Sequence, residues 1–349
     1  LMCYEDIFPN LARDAVRKGS EILFVTTNDA WFGEEGCAEQ HAAHSVMRAV
    51  EAGLPLLRCG NAGWSGWIDP LGRKREVLED QDGSIYFEGA GIVEVSTTKE
   101  FNEGDKVIVT GYDLGMNTPG GFGEYIRVPK EWATLLPDNL GDSESMILGT
   151  AGITAGLCIN TLLEKHKIKG EKAVVTGSTG GVGCIAVMLL AKLGAEVTAI
   201  TGKINSKDFL LSIGAKEVLL RNDYLNSVKK PMSKGSWNMA VDVAGGEMLE
   251  GIIASMKYGG TITCCGLVDS PSFTSSVFPF ILRGISLVGI DSAEVLINEK
   301  AEIWYNYANH WKLDGIQNIS KTVDMYGMMN EINTILEGRQ VGRIVLKHK

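Results

Sequence analysis

The stretch Lys172–Lys203 (KAVVTGSTGGVGCIAVMLLAKLGAEVTAITGK) constrains the fold of this 349-residue chain more than any other. Ala173–Thr176 is short, apolar and mostly β-branched, which suits a strand buried on both faces. Gly177–Gly183 reads as a glycine-rich loop, Cys184–Leu193 as an apolar helix and Glu196–Ile200 as a second strand. Gly181, Gly183 and Ala186 match G-x-G-x-x-G/A where strand passes into helix. In that pattern the small residues serve a tight turn, close backbone approach to a pyrophosphate, and close packing of helix on strand. The helix start adds N–H groups and the positive end of a dipole. Thr179, Gly180, Gly181, Val182 and Gly183 are therefore the expected cradle for a dinucleotide.

The end of the second strand speaks to which dinucleotide. A free ribose 2′-hydroxyl is met by Asp or Glu there. This chain has Thr201, Gly202 and Lys203 instead. A hydroxyl, a backbone N–H and a cation suit a 2′-phosphate, so NADP(H) is expected, the alternative being that Lys203 is a solvated surface lysine.

The pattern continues downstream. Glu217–Leu220, Met239–Val243, Thr261–Cys265 and Ile285–Ile290 read as further strands, and Phe209–Ser212 and Met248–Met256 as helical segments between them. Strands alternating with helices predict a doubly wound parallel sheet, with the ligand at the strand C-termini. Cys265-Gly266-Leu267 would line the nicotinamide side, or form only a strand-end turn. Asp291-Ser292 ends the sixth strand near the substrate, although Ser292 is equally suited to capping. Arg283 could receive a coenzyme A phosphate or be solvated, and His166 and His310 read as surface residues. Trp304 and Trp311, seven apart on the helix Ala301–Trp311, are expected to pack against a small barrel. That barrel is read from strands at Gly91–Val95, Lys106–Thr110 and Gly123–Val128, with turns at Asn102–Asp105 and Gly120-Gly121. A helix follows, capped by Asp142 or Ser143, and the tail ends in a helix through Met329–Leu336 and a strand Arg343–Leu346.

Residues 1–88 read differently: a helix Leu11–Lys18, a strand Glu21–Thr26, the loop NDAWFG, a helix Gln40–Ala52, a strand Leu54–Cys59 and a hairpin tip at Asp69-Pro70 and Gly72. The chain starts Leu-Met-Cys, as a piece of something longer would. Its net charge of −10 argues against nucleic acid as a main partner. It carries no apolar run long enough to suggest a membrane span. Seven scattered cysteines (3, 37, 59, 158, 184, 264 and 265) make no CxxC pair and no zinc spacing, so no metal is expected and a reducing, cytoplasmic compartment fits.

Two family resemblances emerge. Residues 1–88, through CYE, NDAWFG, QH, RAVEAGLPLLR and NAGWSGWIDPLGR, resemble the C-terminal part of a nitrilase-type carbon–nitrogen hydrolase of the apolipoprotein N-acyltransferase kind. That resemblance implies a nucleophile at Cys3 and an active-site carboxylate at Glu5. The family's general base and lysine precede the cysteine, where this sequence has only Leu1 and Met2, so Cys3 is expected to be an inactive relic. Residues 90–349 resemble a zinc-independent medium-chain dehydrogenase/reductase of the acrylyl-CoA reductase and quinone oxidoreductase group. The motifs are AGIVEVS, TGYDLGMNTPGGFGEYIRVP, GTAGITAGLCI, VVTGSTGGVG, DVAGG, YGGTITCCGL, FPFILRGISLVGIDS and GRIVLK.

This second resemblance implies reduction of an α,β-unsaturated acyl-CoA, enone or quinone with NADPH, Arg343 facing the cofactor, and a homodimer. It also implies a nucleotide domain at 150–292 and a GroES-like catalytic domain at 89–149 and 293–349, incomplete because residues 1–88 stand where its first strands would be. The expected fold is α/β: a Rossmann sheet, a partial barrel and an N-terminal nitrilase-like fragment. Acyl transfer through Cys3, or cofactor binding without turnover, are the alternatives.

Overall fold

A computed structural model describes residues 8–28, 37–61, 65–78, 88–115, 120, 125–230 and 232–348. Cys3, Glu5, most of the NDAWFG loop and residues 121–124 lie outside these. The chain forms two compact units, residues 1–88 with 110–129, and residues 89–109 with 130–349.

The first unit is built on α1 (Pro9–Arg17), β1 (Leu23–Asn28), α2 (Cys37–Ala52), β2 (Leu56–Asn61), β3 (Ser65–Ile68) and β4 (Lys74–Leu78). The sheet order is β1-β2-β3-β4. β1 and β2 pair in parallel across the α2 crossover, and the remaining pairs are antiparallel. Leu23, Val25, Leu56 and Ile68 bury one sheet face under Ala12 of α1 and Ala49 of α2. Asp69 shapes the hairpin tip. Its Oδ1 accepts from Leu71 N (3.0 Å) and Arg73 N (2.9 Å), and its Oδ2 from Arg73 Nε (2.6 Å). Arg58 is buried, donating to Ser45 Oγ at 2.7 Å, with His41 Nδ1 at 3.2 Å.

The second unit starts with β5 (Glu88–Ile92), β6 (Lys106–Thr110) and β7 (Ala133–Leu135), a small sheet of that order in which β6 and β7 are antiparallel. The turn between β5 and β6 closes through Asp105 N to Asn102 O (3.1 Å), with Gly104 at φ +90°. The strand expected at Gly123–Val128 is not found over residues 125–128. α3 (Asp142–Leu163) follows, its backbone broken at Gly149 (φ 51°, ψ −150°). Its cap is Gly141 rather than Asp142 or Ser143. Glu144 Oε2 accepts from Gly141 N at 3.3 Å, while Asp142 is drawn into an ion pair with Lys106 at 2.9 Å. By length and apolarity alone α3 would pass for a membrane-spanning helix. Here it is a core helix, buried along most of its length.

The nucleotide-type sheet comprises β8 (Lys172–Val175), β9 (Glu196–Thr201), β10 (Glu217–Leu220), β11 (Trp237–Asp242), β12 (Met256–Cys264) and β13 (Ser286–Gly289). The helices between them are α4 (Gly181–Lys192), α5 (Lys207–Ser212), α6 (Arg221–Ser227), α7 (Gly246–Ser255) and α8 (Phe278–Arg283). The order is β10-β9-β8-β11-β12-β13, all parallel. Strand side chains alternate between faces, and here both faces are dry. Ala173, Val175, Met239 and Val241 pack against α3 and α4, while Val174, Ala240 and Ile262 pack with Ile252 and Ile253 of α7. The chain ends with α9 (Ile297–Asn309), β14 (Ser320–Val323), α10 (Met325–Leu336) and β15 (Arg343–Leu346), with β14 parallel to β15.

Two sequence readings change. Arg283 neither faces solvent alone nor waits for a phosphate. It donates to the carbonyls of Ala254 (3.0 Å), Met256 (2.7 Å) and Ser233 (2.5 Å), tying α8 to the start of β12. His166 is not a surface residue. Its ring lies between Glu171 Oε2 and Thr261 Oγ1, each at 3.0 Å. Trp304 and Trp311 are both buried in the core with α3, and a Cβ on Gly156 would stand 2.5 Å from Ile303 and 3.4 Å from Trp311. α9 stops at Asn309, so Trp311 packs from beyond the helix.

Candidate functional site

The C-terminal ends of β8, β9, β11, β12 and β13 converge where the strand order reverses, between β8 and β11. Parallel strands expose their ligand-binding crevice at such a point. The loop after β8 is fixed from both neighbours: Thr176 N donates to Val241 O (3.1 Å) and Ser178 N to Ile200 O (3.2 Å). Gly177 turns at φ +56°. A Cβ on Gly183 would lie 2.3 Å from Gly177 O and 2.8 Å from Ser178 Cα, so the loop and α4 approach more closely than any side chain permits. Gly180 caps α4, and the first turn of the helix points its N–H groups along the axis from Gly181, Val182 and Gly183. Thr179 is buried, its carbonyl accepting from Gly342 N at 2.9 Å.

That bond brings the tail to the loop. Arg343 donates through Nε to Ile147 O at 2.9 Å, and its Nη1 lies 3.1 Å from where a Cβ on Gly181 would stand. Lys203 Nζ donates to Gln340 O, and partial burial holds its pKa below the usual lysine range. The Thr201 hydroxyl is buried and accepts from Lys203 N at 3.0 Å, so it shapes the turn. Arg221, which the sequence reading missed, lies across Gly202: a Cβ there would be 3.4 Å from its Nη2. Its Nη1 stands 3.5 Å from Asp269 Oδ1. The signal available in the sequence was a lone arginine just after the third strand. Two cations thus flank Gly202 at the end of β9.

On the other side of the reversal, Asp242 organises the strand ends. Its buried carboxylate accepts from Thr176 Oγ1 (2.7 Å) and Gly245 N (2.9 Å), and burial pushes its pKa up against those donors. Cys265 N donates to Asp242 O at 2.9 Å. A Cβ on Gly266 would lie 2.1 Å from Val243 O, so Cys265-Gly266-Leu267 is backbone packed on backbone, with Leu267 reaching solvent. Burial pushes the Cys264 thiol up to about 11, and a hydrogen bond with Cys158, together with burial, raises that of Cys265 well above the usual thiol range. Both therefore stay protonated, and neither supplies a thiolate nucleophile. Ser292 of the 291–295 loop lies 2.7 Å from Thr154 Oγ1 of α3.

The chain spans 80% of the Bacillus subtilis protein YhfP, whose name assigns it provisionally to the quinone oxidoreductases, with 40% identity over 266 residues and 75% of this chain. The chain belongs to the medium-chain dehydrogenase/reductase family. Acrylyl-CoA reductase AcuI of Ruegeria pomeroyi is a second relative, 34% identical over 74% of this chain and 78% of its own. Among solved structures of this family, YhfP with NAD bound has a TM-score of 0.73 at 38% identity, covering 75% of this chain and 80% of that one. Escherichia coli K-12 YhdH with bound NADPH has a TM-score of 0.71 at 34% identity, again covering 75% and 80%.

The family profile matched at residues 181–307 is described as zinc-binding dehydrogenase. Among the described residues no group of three His, Cys, Asp or Glu is arranged to hold a metal. Residues 1–108 match the carbon-nitrogen hydrolase profile. They include 75 residues 48% identical to the apolipoprotein N-acyltransferase of Geobacter metallireducens, 22% of this chain but 14% of that protein. The chain is a fusion of the two kinds of sequence.

Proposed function

We propose that the second unit binds NADP(H) along its strand ends and holds it for reduction of an enone, with an α,β-unsaturated acyl-CoA as the substrate class. The observation that carries the proposal is the Gly183 contact: a helix start and a loop are pressed together at a switch point with no room for a side chain at Gly183, as close approach of backbone N–H groups to a pyrophosphate requires. Thr179, Gly180, Gly181, Val182 and Gly183 would hold the pyrophosphate, with Arg343 beside them. Gly202, Lys203 and Arg221 would hold the 2′-phosphate, Thr201 shaping their turn. Cys265, Gly266 and Leu267 would line the nicotinamide.

NADPH held there would supply a hydride to the substrate β-carbon, leaving an enolate that is protonated afterwards. The protein's own part is to orient and to exclude water. Asp242 fixes Thr176, Gly245 and Cys265 relative to one another, and Gly266 lets the backbone form a flat wall. The identity to AcuI supports the acyl-CoA substrate class. We assign 150–292 as the nucleotide domain, 89–149 with 293–349 as a partial catalytic domain and 1–88 as a hydrolase-like segment. Titration of the full chain with NADPH and NADH, followed by an acrylyl-CoA reduction assay, tests this reading. No response to either cofactor refutes it, and tight NADPH binding without turnover leaves only the cofactor half.

The hydrolase match favours a second reading, acyl transfer through Cys3 with Glu5 as an active-site carboxylate. It requires labelling of the native chain by an acylating probe that Cys3→Ala abolishes. Absence of label ends it.

A further inference from the structure

Lys300 stands out among the charged groups of the second unit because nothing in the proposed cofactor site uses it. It sits in the first turn of α9 and is 1% exposed. Its Nζ donates to Ala293 O at 2.8 Å. Burying an ammonium carries a desolvation cost that an apolar side chain of the same length would avoid. What the lysine adds at this position is a charged donor aimed at the loop above it.

That loop, residues 291–295, leaves the end of β13 on the ligand side of the sheet. Ile290 N donates to Cys264 O at 2.9 Å, so the chain runs beside Cys265-Gly266-Leu267 before turning. Asp291 Oδ1 accepts from Ala293 N (2.8 Å) and Glu294 N (3.2 Å), which closes the turn. Thr154 Oγ1 lies 2.7 Å from both Ser292 Oγ and Thr150 O. One hydroxyl proton serves one acceptor, so when Thr154 donates to Thr150, Ser292 donates to Thr154. Ser292 is thereby committed to α3. The Ala293 carbonyl is a further handle on the loop, and Lys300 holds it.

We propose that Lys300 is a positioning residue for the substrate end of the crevice, anchoring the 291–295 loop through Ala293 so that it forms a fixed wall beside Cys265-Gly266-Leu267. The substrate role rests on the NADP(H)-dependent enone reduction proposed above. The anchoring itself does not.

The test compares the full-length chain with Lys300→Met in three measurements. Amide hydrogen exchange at Ala293 and Glu294 reads the anchor directly. Loss of a charged donor is expected to speed exchange there about fivefold or more, with exchange in β8 and β11 unchanged. NADPH affinity is expected to stay within about twofold, because the pyrophosphate and 2′-phosphate groups lie on other strands. The KM for acrylyl-CoA is expected to rise about tenfold with a smaller change in kcat. Lys300→Gln, which keeps a donor on a shorter stem, is measured in the same way if the methionine variant does not fold. Unchanged exchange at 293–294 in a folded variant overturns the anchor. Faster exchange with unchanged KM and kcat overturns the substrate role. A wild-type chain that binds no NADPH defeats the underlying enzyme reading, and the exchange data then still decide the anchor.

Discussion

Replacing Gly183 with alanine would put a methyl carbon 2.3 Å from Gly177 O, 2.8 Å from Gly177 C and 2.8 Å from Ser178 Cα. All three atoms are backbone, so no rotamer change relieves the clash, and either the loop or α4 has to move. Forcing an extra carbon into a well-packed site costs about 1–3 kcal/mol. If the strain is released by displacing the loop from its bonds to Val241 O and Ile200 O, the N–H groups facing the ligand move with it. The same 1–3 kcal/mol then appears as a loss of roughly 5- to 150-fold in NADPH affinity. Gly181→Ala is the internal control. There the new carbon meets Arg343 Nη1 at 3.1 Å, Arg343 Cδ at 3.2 Å and Ala151 Cβ at 3.4 Å, mostly the far end of a flexible side chain that can yield. Its expected loss is under about fivefold. Urea unfolding and NADPH titration on both variants separate stability from binding. If Gly183→Ala binds and unfolds like the parent, or Gly181→Ala is the more damaging of the two, the close-approach argument is wrong.

Further expectations follow from the same geometry. Arg221→Ala and Lys203→Glu should each weaken NADPH by about tenfold while leaving NADH nearly unchanged, because a charged donor to phosphate is worth about 1.5–3 kcal/mol, and equal losses for both cofactors would refute the 2′-phosphate role. Arg283→Ala should destabilise the chain by about 2 kcal/mol in urea through loss of its three carbonyl bonds, with KM for acrylyl-CoA unaffected, and a raised KM would restore a coenzyme A role. Burial lowers the Lys300 pKa from its ordinary 10.5 to about 8, against the opposing pull of Glu294 and Asp291. The native chain then binds fewer protons than the unfolded chain between those values, so the stability of the parent relative to Lys300→Met should rise with pH from about 8 to 10.5. A flat difference across that window refutes the shift.

The nucleotide sheet was legible because its code is local. A strand buried on both faces needs a short β-branched run, and Ala173–Val175 supplies one. The close approach of loop and helix needs glycine at the position where Gly183 stands. Element ends were less legible. β12 starts at Met256, well before the expected Thr261, because pairing with Trp237 across the sheet extends it through the glycines. Gly141 became the α3 cap because Lys106, far off in sequence, claims Asp142.

The sequence by itself determined that a dinucleotide-type crevice exists, and that two unrelated kinds of sequence share the chain, because glycine spacing and motif order survive without coordinates. Only the tertiary structure decided which charges meet there. It set Arg221 against Gly202, laid Gln340 on Lys203 and Gly342 on the glycine loop, turned Arg283 inward and buried Lys300 under Ala293. A charged side chain has the same signature in sequence whether it faces water, a phosphate or a buried carbonyl. The choice depends on which distant segment folds over it.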